Sequence, residues 1–440
     1  EIRAAARASG AVVEAYVEDD APDFALEQCG VEDAPAGATQ SDRALWERAV
    51  WPLASVLATG EYVVARCKAI GVQAVLYDPM TPHGLVVAEV LGVPCLSVVT
   101  FPGMGSIAGL MSNEKAVHRA RDFRRPYGQR IRKRFGVDVQ ERLLSRRQYF
   151  CRDNLVTTSE DLIVPLPPPG LAAWADECRE RFRFHPVGCL VGDSAAHVTG
   201  APSAKRRGDA ARCVDRGCDL PTEELDAAVA RGAKVVFAAF GSMAMSSRWR
   251  KDLGRQSGGN LPTGTTGKAF CQHVWLRLLT VMQRLGDSFH CVLCVGTQPD
   301  ALDFLGPETM RAIPGNVTLR STIPQTEMLR RYADVFVSHM GFNSMQESLR
   351  AGVPFVAVPQ AMDQPANAMK AEAAGWGRAF VQPMDTLTAE ALESAVREVA
   401  SERSPCRKAV AECRSRLHGG ERRAADWLMA LAAGGGAQES

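Results

Sequence analysis

Four residue types able to grip an anion fall within residues 339–344 of this chain: His339, Gly341, Asn343 and Ser344. An apolar, β-branched run over 333–340 precedes them and a helical pattern follows, so the segment reads as strand, tight turn and helix start. At a helix start the first backbone N–H groups lack intrahelical partners and the positive end of the dipole faces outward, which suits a phosphate. Gly341 lets the backbone come close to that phosphate, and Ser344 adds a hydroxyl donor. Glu347, four residues after Asn343, projects from the same helix face. A carboxylate there can accept both hydroxyls of a ribose, as the acidic residue of dinucleotide folds does. After the next apolar run, 354–360, a loop presents Asp363 and Gln364 at the carboxyl end of the sheet, where open α/β folds bind ligands. Singly, each residue has a plainer use: a strand-end His is more often structural, and Asp, Gln and Glu more often face water. Their order and spacing carry the reading.

A parallel sheet has to position these groups. Short β-branched runs alternate with helical patterns throughout, the mark of α/β units. In the first half, strands are expected over 11–17, 74–78, 94–101 and 154–159, with helices over 41–70 and, Arg-rich, 115–147. In the second half, strands are expected over 234–241, 290–296, 317–321, 333–340 and 354–360. Helices are expected there over 268–285, 343–351 and 366–374, with three more between 388 and 431. The expected domains are 1–191, a linker 192–220 without hydrophobic period, 221–418, and a C-terminal helix and tail over 419–440 that returns to the first domain. A Gly/Ser/Arg-rich insertion, 246–267, reads as a mobile loop. Its Gly264, Gly267 and Lys268 make no P-loop, because Ala269 replaces the Ser or Thr that would hold magnesium.

With 440 residues, 46% hydrophobic and 23% charged, the chain can bury sizeable cores in two or three domains. A formal net charge of +1 gives no reason to expect nucleic acid as a partner. Thirteen cysteines, an odd number without zinc-like pairs, read as free thiols in a reducing, cytoplasmic setting. Cys291 and Cys294 lie in an apolar strand and read as core thiols. The uncharged stretch 90–112 is broken by Gly92, Pro94, Pro102, Gly103 and Gly105, so it is not read as a membrane span. The Arg-rich helix reads as a solvated face, with membrane contact at most peripheral.

Together, Pro324 and Gln325, the turn at 339–344, Glu347, Gly352 and Pro354, Pro359, Asp363, Gln364, Asn367 and Ala368 resemble the donor-binding signature of family 1 UDP-glycosyltransferases. The resemblance implies an α/β GT-B fold, two Rossmann-like domains facing each other across a cleft. It implies that His339, Ser344 and neighbouring Asn343 contact the diphosphate, that Glu347 holds the ribose, and that Asp363 and Gln364 bind hydroxyls of the transferred sugar. Gln325 falls in the uracil pocket, and Ser242, after Phe240 and Gly241, in a turn near the donor phosphates. Two departures stand out. Thr322 occupies the place of a Trp that stacks on uracil, and Met340 and Phe342 replace the usual residues of the His-x-Gly-x turn.

Asp78, Pro82, Gly84, Glu89, Gly92 and Pro94 are similar to the acceptor domain of macrolide-type members of that family. There an Asp at the position of Asp78 orients a His that takes the acceptor proton, fixing its tautomer and stabilising the imidazolium. That His is expected in a loop ahead of the first helix, and the chain is expected to start too late to include it. His83 is read as packing, with a compensating base as the other reading. The implied activity is inverting transfer of a hexose, glucose, from a UDP-sugar donor to a hydroxyl of a small lipophilic acceptor. No cofactor or metal is expected. A non-catalytic nucleotide-sugar-binding protein and a GT-B sugar-nucleotide epimerase are the alternatives.

Overall fold

The computed structural model describes residues 39–111, 114–140, 148–190, 218–254, 260–305 and 313–433. The expected strand over 11–17 and nearly all of the linker lie outside them. The described chain divides into two compact units. One holds residues up to Leu190 together with Gly419 onward, and the other runs from Val191 to His418.

In the first unit, β1 (Val75–Tyr77), β2 (Cys95–Val99), β3 (Asp153–Val156) and β4 (Arg183–Pro186) form a parallel sheet in chain order. The helix Gln40–Ala69 starts at Thr39, whose hydroxyl accepts the Asp42 N–H at 3.1 Å. Against it lies the helix Glu114–Phe135, which buries Ala120, Arg124, Tyr127 and Ile131 and turns its other arginines outward. That helix ends earlier than the expected 115–147, because Gly136 takes a left-handed φ of +75° and stops it. The C-terminal helix Gly420–Ala432 packs on the same sheet. Arg423 Nε donates to Val187 O at 2.6 Å, and Trp427 lies on His185 with ring centroids 4.1 Å apart.

The second unit has six parallel strands: β5 (Lys234–Ala239), β6 (Phe289–Cys294), β7 (Val317–Arg320), β8 (Val335–Ser338), β9 (Phe355–Ala357) and β10 (Gly377–Ala379). Their order is β10-β9-β8-β5-β6-β7. Strands β6, β8 and β9 are buried throughout, as a sheet covered on both faces requires of continuous apolar runs. Cys291 and Cys294 point into this core, where burial pushes both thiols up, Cys294 to about 12. Helices Gly267–Leu285 and Ala389–Ala400 are each started by a threonine side chain, Thr266 and Thr388, and bury their apolar stripes against the sheet. The order reverses direction between β5 and β8. At such a switch point the loops leaving neighbouring strands diverge and open a crevice at their carboxyl ends.

One expectation is corrected here. The described parts of the insertion 246–267 are not a mobile loop. Trp249, Leu253 and Leu261 are buried in the main core, and Leu253 N–H donates to Thr265 O at 2.7 Å. Composition suggested a loop because three apolar anchors are diluted among glycines and polar residues. Among the described residues no helix is long and apolar enough to cross a membrane.

Candidate functional site

The switch point brings the segments after β5 and β8 side by side. After β5 the chain passes Phe240 and Gly241, at φ +70°, and Ser242 leads into a π-helical turn, Met243–Ser247. After β8 come His339, Met340 at φ +61°, and Gly341, from which the helix Phe342–Ala351 departs. A side chain at residue 241 or at residue 341 would place its Cβ 2.6 Å from His339 Nε2. Two glycines, one from each strand end, thus make room for one imidazole. Met340 stands in the left-handed region, which costs a non-glycine residue roughly 1–2 kcal/mol. Its N–H is taken by Ser338 Oγ at 3.2 Å and its carbonyl by Asn367 Nδ2 at 3.0 Å. Such strain persists where the surroundings over-determine it, characteristically beside ligands.

Burial lowers the His339 pKa to about 4, partly offset by the Ala239 carbonyl nearby. The ring is therefore neutral at pH 7 and offers an N–H donor instead of a full charge. The helix beyond it opens with backbone N–H groups that have no partner one turn back, and Asn343 is exposed there. Ser344 and Glu347 share an amide: Gln325 Nε2 donates to Ser344 Oγ at 3.1 Å and to Glu347 Oε2 at 2.5 Å. Gln325 opens the helix Gln325–Arg331 just after β7, so a third strand end sets the carboxylate's orientation.

The loop after β9 completes the group. Asp363 accepts from Asn367 Nδ2 at 2.8 Å, and burial raises its pKa. Asn367 therefore links Asp363 to the strained carbonyl of Met340. Gln364 is turned inward, its Oε1 accepting the N–H groups of Gln360 and Ala361 at 2.9 and 3.2 Å. Its NH₂ takes no part in those two bonds. Gln360, fully buried, donates from Nε2 to Phe240 O at 2.8 Å and ties the β9 loop to the β5 turn.

All nine donor-site residues expected from sequence, Ser242, Gln325, His339, Gly341, Asn343, Ser344, Glu347, Asp363 and Gln364, lie on the strand-end segments of this one unit. Asp78 belongs to the other unit. It is exposed at the end of β1, and among the described residues its carboxylate accepts one hydrogen bond, from Met80 N–H at 2.8 Å. His83 is held by the long helix, with Nε2 2.9 Å from Thr59 Oγ1 and 3.4 Å from Ser55 Oγ, and burial lowers its pKa. Those contacts fit packing. Sequence reasoning passed over Gln360 and quoted Asn367 only as part of the signature, without a role; the signal was a buried-type amide beside each loop motif. Among the described residues no group of three or more His, Cys, Asp or Glu is placed to hold a metal.

Residues 301–418 match the family described as "Erythromycin biosynthesis protein CIII-like, C-terminal domain". Over 116 residues the chain is 36% identical to the NDP-glycosyltransferase YjiC of Bacillus subtilis (strain 168), covering 26% of this chain and 27% of that protein. Over 143 residues it is 34% identical to the oleandomycin glycosyltransferase of Streptomyces antibioticus, covering 32% and 31%. The match thus spans less than a third of the length of these relatives. Among solved structures, the chain is similar to the glycotransferase of kitacinnamycin, with TM-score 0.57 and 22% identity over 91% of this chain and 85% of that one. It is also similar to UGT71G1 of Medicago truncatula, solved with UDP-glucose, with TM-score 0.54 and 17% identity over 91% and 84%. At these identities the likeness is one of fold.

Proposed function

With residues 301–418 forming an EryCIII-like C-terminal domain and the chain in the GT-B glycosyltransferase fold, we propose that the protein is an inverting UDP-glycosyltransferase. It transfers a hexose, glucose, from UDP to a hydroxyl of a small lipophilic acceptor. The observation that carries this reading is the imidazole of His339 seated between Gly241 and Gly341 at the switch point, beside a helix start.

In the proposed displacement, the acceptor oxygen attacks the anomeric carbon from the face opposite to UDP. The bond to the diphosphate oxygen breaks and the leaving group takes its electron pair. Charge developing there is met by the His339 N–H, the Ser344 hydroxyl and the helix N-terminus, donors already aimed before reaction and therefore costing no reorganisation. Glu347, oriented by Gln325, accepts the ribose hydroxyls, and Asp363 with the NH₂ of Gln364 takes hydroxyls of the hexose. No metal is assigned a part. On the acceptor side the hydroxyl gives its proton to a base histidine, which becomes an imidazolium, and Asp78 is the carboxylate that orients it, with lone pairs to spare beyond the Met80 N–H.

Titration calorimetry with UDP tests the reading. Binding heat is expected from the native chain and at least tenfold weaker affinity from His339→Ala, on the order of one charge-assisted hydrogen bond. No heat from the native chain would remove the proposal.

A further inference from the structure

The insertion 246–267 reaches the donor loops through the side chain of Asn260. Both of its ends are fastened to Asp300, in the segment after β6: Trp249 Nε1 donates to that carboxylate at 2.8 Å and Lys268 Nζ at 2.9 Å. Between them Leu261 is buried in the core, and its neighbour Asn260 turns its amide onto two main-chain carbonyls. Nδ2 donates to Pro359 O at 3.0 Å and also to Val381 O. Pro359 follows β9 and Val381 follows β10, which are paired parallel strands. Asn260 thus laces together two strand ends at the point where the chain departs for Met362, Asp363 and Gln364.

That loop depends on restraints from outside itself. Met362, the residue before Asp363, has φ +66° and a half-exposed side chain that packing does little to hold. A left-handed non-glycine residue stays put only where its neighbours over-determine the backbone. From one side the loop is gripped by Gln364 Oε1 on the Gln360 and Ala361 N–H groups. From the other it is gripped by Asn260 alone among side chains on the Pro359 carbonyl, within the described residues. The diphosphate cradle has supports of its own, Ser338 Oγ on the Met340 N–H and the two glycines around His339, and meets the loop through Asn367.

We propose that Asn260 is a positioning residue for the transferred sugar: through Pro359 it sets Asp363 and Gln364, and it leaves the diphosphate contacts unaltered. This rests on the donor-site reading above. The consequence is a split between two ligands that share a nucleotide. In Asn260→Ala, affinity for UDP should stay within about twofold of the native chain, while affinity for UDP-glucose falls about tenfold, as expected when hydrogen bonds that fix one loop are lost. Asn260→Ser, with one hydroxyl donor, should fall between them. Both ligands are titrated by calorimetry into native, Ala and Ser chains, with melting temperatures measured alongside. An unchanged ratio of the two affinities in the variants, or an equal loss for both ligands, overturns the proposal and leaves Asn260 a purely structural tie. If Asn260→Ala does not fold, the Ser variant decides by the same ratio. Failure of the native chain to bind UDP strikes the donor-site reading instead.

Discussion

Gly341→Ala separates the imidazole's seat from backbone strain. Residue 341 has φ −57°, which alanine adopts freely, whereas Gly241 has φ +70°, which alanine resists. An added Cβ at 341 would stand 2.6 Å from His339 Nε2. An ordinary carbon–nitrogen contact needs roughly 3.4 Å or more, so the ring must retreat by nearly an ångström. A hydrogen bond from that ring to a diphosphate oxygen, stretched from about 2.9 Å to beyond 3.5 Å, ceases to be one. Its loss to a charged acceptor costs about 1.5–3 kcal/mol, or roughly 10- to 150-fold in Kd for UDP. Stability should move by less than about 1 kcal/mol, since the lower unfolded-state entropy of alanine offsets its weakness as a helix cap. Calorimetry on native, Gly341→Ala, His339→Ala and the double variant closes a thermodynamic cycle. Once the imidazole is gone, Gly341→Ala should cost little more. Native-like affinity in Gly341→Ala, or the same loss in both backgrounds, would refute the steric reasoning.

Further outcomes follow from particular residues. His339 has a folded pKa of about 4 against an ordinary value of 6.5, so the unfolded chain binds the extra proton between those values. Stability from this group is therefore present above pH 6.5 and declines by up to about 3 kcal/mol as pH falls to 4; urea unfolding of His339→Asn should show a flatter acid limb. An anion beside the ring raises that pKa, so UDP binding near pH 5 should take up protons, seen as a dependence of binding heat on the buffer's ionisation enthalpy. Glu347→Ala should weaken UDP by about 1–3 kcal/mol but barely change affinity for 2′,3′-dideoxy-UDP, since the lost acceptor has no hydroxyl to serve there. Trp249→Ala should cost about 3–5 kcal/mol in chemical denaturation, the range of a buried aromatic. A value under about 0.5 kcal/mol would instead mark a loop.

Local order along the chain was enough to locate the turn at 339–344. A β-branched run, a glycine and a helix start lie within one short segment, and each acts through neighbours only a few residues away. The same holds for five of the six strands of the second unit, all but the short β10, and for the core thiols Cys291 and Cys294, because continuous apolar runs carry their own burial signal. Polar residues with distant partners were not legible. Nothing near His339 announces that Gly241 makes half of its seat; that follows from β5 lying beside β8, a pairing between remote segments. The depressed pKa of His339, the inward turn of Gln364, and the anchoring of 246–267 by Trp249, Leu253 and Leu261 are likewise products of burial. Periodicity reports what one element shows to its surroundings, whereas strand order and the partner of a buried amide depend on which surroundings the folded chain supplies.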